Sequence, residues 1–137
     1  MFLLDTDVLS ASRRPDKAAP PFASWVEKTN PGEMYLSSVS ILEIKIGALR
    51  IGRRDNTQAT ILERWMSERV LGRFEGRILP VDAAVALRCA SLHVPDPRPE
   101  RDAMIAATAL EHRLTMVTRN VRHFAAMGVA LINPWAE

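Results

Sequence analysis

The sequence predicts an α/β fold: a parallel sheet carrying helices on both faces, joined by right-handed crossovers. Three observations predict it. Short apolar runs alternate with helical segments from one end of the chain to the other. The runs stop abruptly at polar residues, as strands buried on both faces do. The segment "AMIAATALEHR" is made mostly of small and apolar residues, so it should lie flat against a sheet.

"MFLLD" is the first strand, three large apolar residues ending at Asp5. "TDVLSASRR" is helical, with Thr6 or Asp7 as N-cap and Pro15 closing it. "PPFASWVEKT" is a second helix with proline at its start, where proline is tolerated. Asn30, Pro31 and Gly32 make a turn. "MYLSS" is the next strand. In "VSILEIKIGALRIG", Val39, Leu42, Ile46 and Leu49 share one helical face, widened by Ile41, Ile44 and Ala48, and Gly52 stops the helix.

"DNTQATILERWMSERVLG" begins at a good cap, Asp55, and places Ile61, Leu62, Trp65 and Met66 at helical spacing. "GRILPV" is a third strand, and "DAAVALRCASLH" a helix capped by Asp82. The three prolines of "VPDPRPERD" make a loop before the "AMIAATALEHR" helix. "LTMVT" is a fourth strand, "RNVRHFAAMG" a turn with a short helix, and "VALINPW" the last strand.

A length of 137 residues suits one domain, 1–137. The composition, 47% apolar and 25% charged, excludes disorder. No apolar run approaches a membrane span, and Asp5 and Asp7 interrupt the one early apolar stretch, which excludes a signal peptide. Cys89 cannot pair internally, so a reducing cytoplasm is expected, with Cys89 as a packing residue. Arginine supplies 15 of the 18 basic residues, and residues 50–77 hold seven arginines against four acids. That bias favours an anionic partner, nucleic acid or an acidic protein.

In a parallel sheet the functional crevice lies beyond the carboxyl ends of the strands. Asp5 follows the first strand. Glu43, the sole acid between Glu33 and Asp55, comes one helical turn after the second. Asp102 opens the late alanine-rich helix, and Arg119 and Asn120 follow the fourth strand. Carboxylates gathered from distant segments repel one another unless a cation intervenes. All-oxygen ligands point to a hard divalent ion, Mg²⁺ or Mn²⁺. Asp7 is assigned to helix capping.

"FLLDTDVLS", "SSVSILEIKIGA" and "RDAMIAATALEHRLTMVTRNVRHF" together resemble PIN-domain ribonucleases, in particular VapC-type toxins of type II toxin–antitoxin modules. The likeness runs from Met1 to about Trp135. It implies a PIN-like (Rossmann-like) three-layer sandwich with a central parallel sheet of four to five strands. It also implies a metal-dependent endoribonuclease that inhibits translation and is neutralised by a cognate antitoxin. A homodimer is expected, touching operator DNA only through the antitoxin complex. Residue by residue, the resemblance makes Asp5, Glu43 and Asp102 the metal ligands and adds Thr118 and Asn120 to the catalytic set. Thr6 and Arg119 are expected to meet the RNA. Asn120 and His123 stand where the family commonly carries acids, which favours one firmly held ion over two.

Three rivals share parts of this pattern. A haloacid-dehalogenase-like phosphatase would use Asp5 as nucleophile and Asp7 as general acid, but the only lysines, Lys17, Lys28 and Lys45, all fall early. A zinc enzyme finds His93, His112 and His123 scattered. A non-catalytic co-repressor would use Phe22, Trp25, Leu62 and Trp65 as a groove for an antitoxin helix or strand.

Overall fold

Strand β1 (Phe2–Leu4) holds the middle of the sheet because both of its faces are apolar. The computed structural model describes residues 1–136 and shows five parallel strands in the order β3-β2-β1-β4-β5. The others are β2 (Met34–Ser37), β3 (Ile78–Leu79), β4 (Thr115–Val117) and β5 (Leu131–Ile132). Among the described residues seven α-helices connect or flank them: α1 (Thr6–Ala11), α2 (Pro20–Lys28), α3 (Ser38–Gly52), α4 (Asn56–Trp65), α5 (Ala83–Leu92), α6 (Glu100–Glu111) and α7 (Val121–Phe124). The α/β class and the parallel, helix-covered sheet of the sequence reading are what the structure has.

Strand alternation assigns neighbouring residues to opposite cores. Leu3 and Met116 pack with Ile105, Ala106 and Ala109 of α6 and with Phe124. Leu4 and Val117 face the other way, against Val8, Leu9, Phe22, Ile44, Met66 and Val70. Helix α6 is buried on more than one side: Ala103 and Ala107 pack with Val85 and Cys89 of α5. Its small side chains let it lie between a sheet and a helix, as its composition requires.

The chain runs outward from β1 to β2 and β3, then returns to lay β4 against the free side of β1. That reversal is the point where open parallel sheets bind ligands, just past the strands' carboxyl ends. The register pairs Leu4 with Val117, so Asp5 and Thr118 emerge side by side.

Several local expectations need correction. Asp5 itself caps α1, accepting from the Thr6 N–H; Thr6 and Asp7 lie inside the first turn, and the helix ends at Ala11 rather than running on toward Pro15. On α3 the buried residues are Val39, Ser40, Ile44 and Ala48, while Leu42 and Leu49 are exposed, because the helix turns its polar Ser40 edge toward α1. The fourth helix does not stay α to Gly72: after Trp65 it continues as a π-helical turn over Met66–Leu71, burying Met66 and Val70. Asp102 is the third residue of α6, which begins at Glu100. The final strand is two residues long, and Asn133–Trp135 turn away from it, Asn133 Oδ1 accepting from the Trp135 N–H at 3.0 Å.

Ala106 is fully buried between α6 and the sheet. Ala106→Leu should therefore lower unfolding free energy by about 1–3 kcal/mol through overpacking, read by urea denaturation.

Candidate functional site

Asp5 is fixed from three sides. Its backbone N–H donates to Val117 O at 2.9 Å, extending the β1–β4 ladder by one residue. Its Oδ1 accepts from the Thr6 N–H and its Oδ2 from Thr118 Oγ1, both at 2.8 Å. Thr118 is fully buried and Asp5 is 6% exposed. Thr118 Oγ1 in turn accepts from the Asn120 N–H at 3.0 Å, so one hydroxyl links two of the predicted residues.

From the other side, Thr6 Oγ1 donates to Glu43 Oε1 at 2.7 Å and lies 2.9 Å from Ser40 Oγ. That contact joins α1 to α3 and holds Glu43 toward the β1 end. Glu43 Oε2 faces Arg101 at 3.9 Å. Lys45, two residues further along α3, donates to both carboxylate oxygens of Glu63, at 2.6 and 2.7 Å. Asp102 Oδ2 lies 3.8 Å from His123 Nδ1, which places His123 beside the cluster.

These acids feel one another. The Asp5 carboxyl is pushed up from 3.8 to about 6, first by burial and then by Asp7 and Asp102, against the pull of the Thr118 and Thr6 hydrogen bonds. Asp102 is also raised, by burial and by repulsion from Glu43 and Asp7, with His123 opposing. Asp7 is raised by burial and eased by the Val8 N–H and the Arg119 charge. Its Oδ1 is buried with no hydrogen-bond partner among the described residues. The sequence reading missed Asp7 as a site residue. The available signal was an acid two positions past a strand-end acid, at the start of a helix whose cap is that first acid.

The structure thus gathers Asp5, Thr6, Glu43, Asp102 and Thr118, and adds Asp7 and Ser40. Asn120 contributes a backbone contact, and its side chain is exposed at the start of α7. Arg119 lies on the far flank, its guanidinium 3.9 Å over the Trp135 ring, which stacks on Phe22 at 4.2 Å. His93 and His112 lie elsewhere: the His93 ring accepts from the Arg98 N–H at 3.1 Å, and His112 ends α6. The four proposed groove residues divide as well. Phe22 is buried core and Trp25 lines one trough of about 520 Å³. Trp65 lines a second, of about 590 Å³, and Leu62 lines a third, of about 240 Å³, with Thr6 and Glu43.

Whether these residues suit a divalent cation is answered by their chemistry. They are oxygen donors, their mutual repulsion calls for positive charge, and Asp7 keeps a buried oxygen unpartnered. As they stand, no group of three or more His, Cys, Asp or Glu among the described residues is closed around an ion position. The donor set fits a hard ion in its chemistry.

The five-stranded parallel sheet with its covering helices has counterparts among known proteins. The PIN domain family matches residues 2–129. This chain belongs to the PIN-domain family. Among its relatives, Toxin FitB of Neisseria gonorrhoeae is 34% identical, with 100% of both chains covered. VapC ribonuclease Y4jK of Sinorhizobium fredii is 31% identical over 98% of each. In three dimensions this PIN domain superposes on the crystal structure of FitAcB from Neisseria gonorrhoeae with a TM-score of 0.89 at 32% identity, covering 100% of both chains. DNA-bound VapBC from Salmonella typhimurium shares the fold at a TM-score of 0.75 and 22% identity. The PIN-like α/β fold, with its five-stranded parallel sheet, is the one the resemblance implied. The phosphatase reading finds no support in these relatives.

The raised Asp5 carboxyl sets a pH dependence for the ion-free fold. Between pH ~4 and ~6 the folded chain keeps a proton that the unfolded chain has released, so this group's stabilisation is lost as pH rises through that window. Asp5→Asn keeps an acceptor for Thr6 and removes the charge. Relative to wild type in chelator, its stability should improve by on the order of 2 kcal/mol on going from pH 4 to pH 7, measured by denaturant melts.

Proposed function

We propose that this PIN domain is a divalent-metal-dependent endoribonuclease, the toxin of a type II toxin–antitoxin pair, which cuts RNA to halt translation. The observation that carries the reading is the buried Asp5 carboxylate, held by Thr118 and Thr6 against two further acids at the sheet's switch point. Burying that charge is costly without a compensating cation. Asp5, Asp102 and Glu43 are the residues that would hold Mg²⁺, or Mn²⁺. Such an ion, when bound, supplies an activated water and charge neutralisation at a phosphodiester.

The chain's own residues do the rest. Thr118 and the Thr6 N–H fix the Asp5 oxygens, so that its lone pairs face the crevice in one orientation. Thr6, whose hydroxyl also contacts Ser40, fixes Glu43 in the same way. Asp7 adds negative charge on the Arg119 side, and the Asn120 amide is exposed at the rim, where it can orient a water. Arg101 and Arg119 bracket the acids and attract the RNA backbone.

Cleavage of RNA by purified protein, followed on gels with Mg²⁺ or Mn²⁺ and with chelator, tests the reading. Asp5→Asn and Asp102→Asn should each lower kcat/KM on the order of a hundredfold or more, and chelator should abolish cutting. Wild-type cleavage by Asp5→Asn would disprove the assignment.

The antitoxin has a matching place. The two troughs meet at Ser12, Pro15, Arg73 and Phe74, with an apolar floor that includes Leu9, Trp25 and Trp65. A protein of the same fold from Klebsiella pneumoniae is solved as a toxin-antitoxin complex. A cognate antitoxin segment lies in this joined trough, and operator DNA is reached only through it. Exposed Leu42 and Leu49 on α3 and Ile61 on α4 offer apolar surface for a homodimer. Arg69→Glu with Arg73→Glu should weaken the antitoxin complex at least tenfold in a titration, because both arginines rim the trough.

A further inference from the structure

Beside the carboxylates, between α1 with its following turn and the start of α2, lies a cleft of about 230 Å³. Arg13, Arg14, Lys17 and Arg119 line it, no acid does, and none of the four enters an ion pair among the described residues. Unneutralised positive charge in a concavity is a binding site for an anion of matching size. The cleft is continuous with the acids on two sides. Arg119 eases the charge of Asp7, and Ser10 and Arg13 also line the neighbouring depression that contains Thr6 and Glu43.

One wall is a pile of planes. Phe22 is buried, Trp135 stacks on it with the rings 10° from parallel, and the Arg119 guanidinium covers the outer face of Trp135. The exposed top layer is therefore a guanidinium seated over an aromatic face, next to three further cations. Splayed bases of single-stranded RNA stack on such planes while basic side chains hold the adjoining phosphates. The space is on the scale of one nucleotide and much too small for a duplex. Arg13 and Arg14 also line the larger trough, where Glu68 stands among the arginines; in this cleft no acid answers them.

Resting on the nuclease reading, we propose that the cleft is the subsite for the nucleotide next to the scissile phosphate. An unpaired base lies on the Arg119–Trp135–Phe22 stack, and Arg13, Arg14 and Lys17 hold the phosphates.

Binding of a short single-stranded RNA and of an equal-length duplex to the cleavage-deficient Asp5→Asn chain, over a range of salt, tests this. Adding Arg13→Gln, Arg14→Gln and Lys17→Gln together should weaken single-strand binding at least tenfold. It should also reduce the slope of log affinity against log salt by about 2, at about 0.7 for each phosphate no longer neutralised. Arg119→Lys retains charge and loses the plane, so it should weaken single-strand binding about fivefold with the slope unchanged. Duplex binding should respond to neither. Unchanged single-strand affinity and slope in the triple variant overturns the subsite, as does equal loss for duplex or loss confined to antitoxin binding. Failure of the wild type to cut any RNA with Mg²⁺ or Mn²⁺ is a separate result and overturns the nuclease reading beneath it.

Discussion

The structure turns on the hydrogen bond from Thr118 Oγ1 to Asp5 Oδ2. It spans 113 residues of sequence and lies where β1 and β4, the two strands at the reversal of the sheet, release their chains. Parallel pairing of Leu4 with Val117 brings the two residues level, and burial on both faces leaves the carboxylate few other partners. A buried acid held in one orientation, with others close by, is a poor element of a stable core and a good element of a site. The fold keeps it because the ladder, the cap of α1 and the Thr118 hydroxyl all act on the same residue.

Around that bond the other groups fall into two flanks. On one, Thr6 carries the orientation of α1 to Glu43 on α3, and Arg101 answers the glutamate's outer oxygen. On the other, Asp7, Arg119, Trp135 and Phe22 link the acids to the start of α2 and the far end of the chain. Asp7 and Trp135 had no place in the site when read as residues in a line. A first-turn aspartate reads as a cap, and a tryptophan after the last strand reads as packing. Only with α1 capped by Asp5 does Asp7 turn inward, and only with the chain end folded over Phe22 does Trp135 carry an arginine.

Much of the fold was legible because its signals are local. Apolar runs ending in polar residues marked the strands, and the small residues of α6 marked a helix lying against the sheet. What misled was equally local. Leu42 and Leu49 are apolar at helical spacing, yet the buried edge of α3 includes Ser40, whose hydroxyl lies beside Thr6. The Met66–Leu71 turn widens to a π-helix to bury Met66 and Val70, a choice made by the core beneath it and not by its own propensities.

The sequence by itself determined the alternation of strands and helices, the strand-end placement of Asp5 and the residue types able to serve a hard cation. These follow from periodicity and from the chemistry of carboxylates, which need no neighbours to be read. Tertiary structure decided which acids meet, what holds them and where the free cations gather. Those depend on strand order and register, and a chain brings Thr118 to Asp5 only after β4 has docked beside β1.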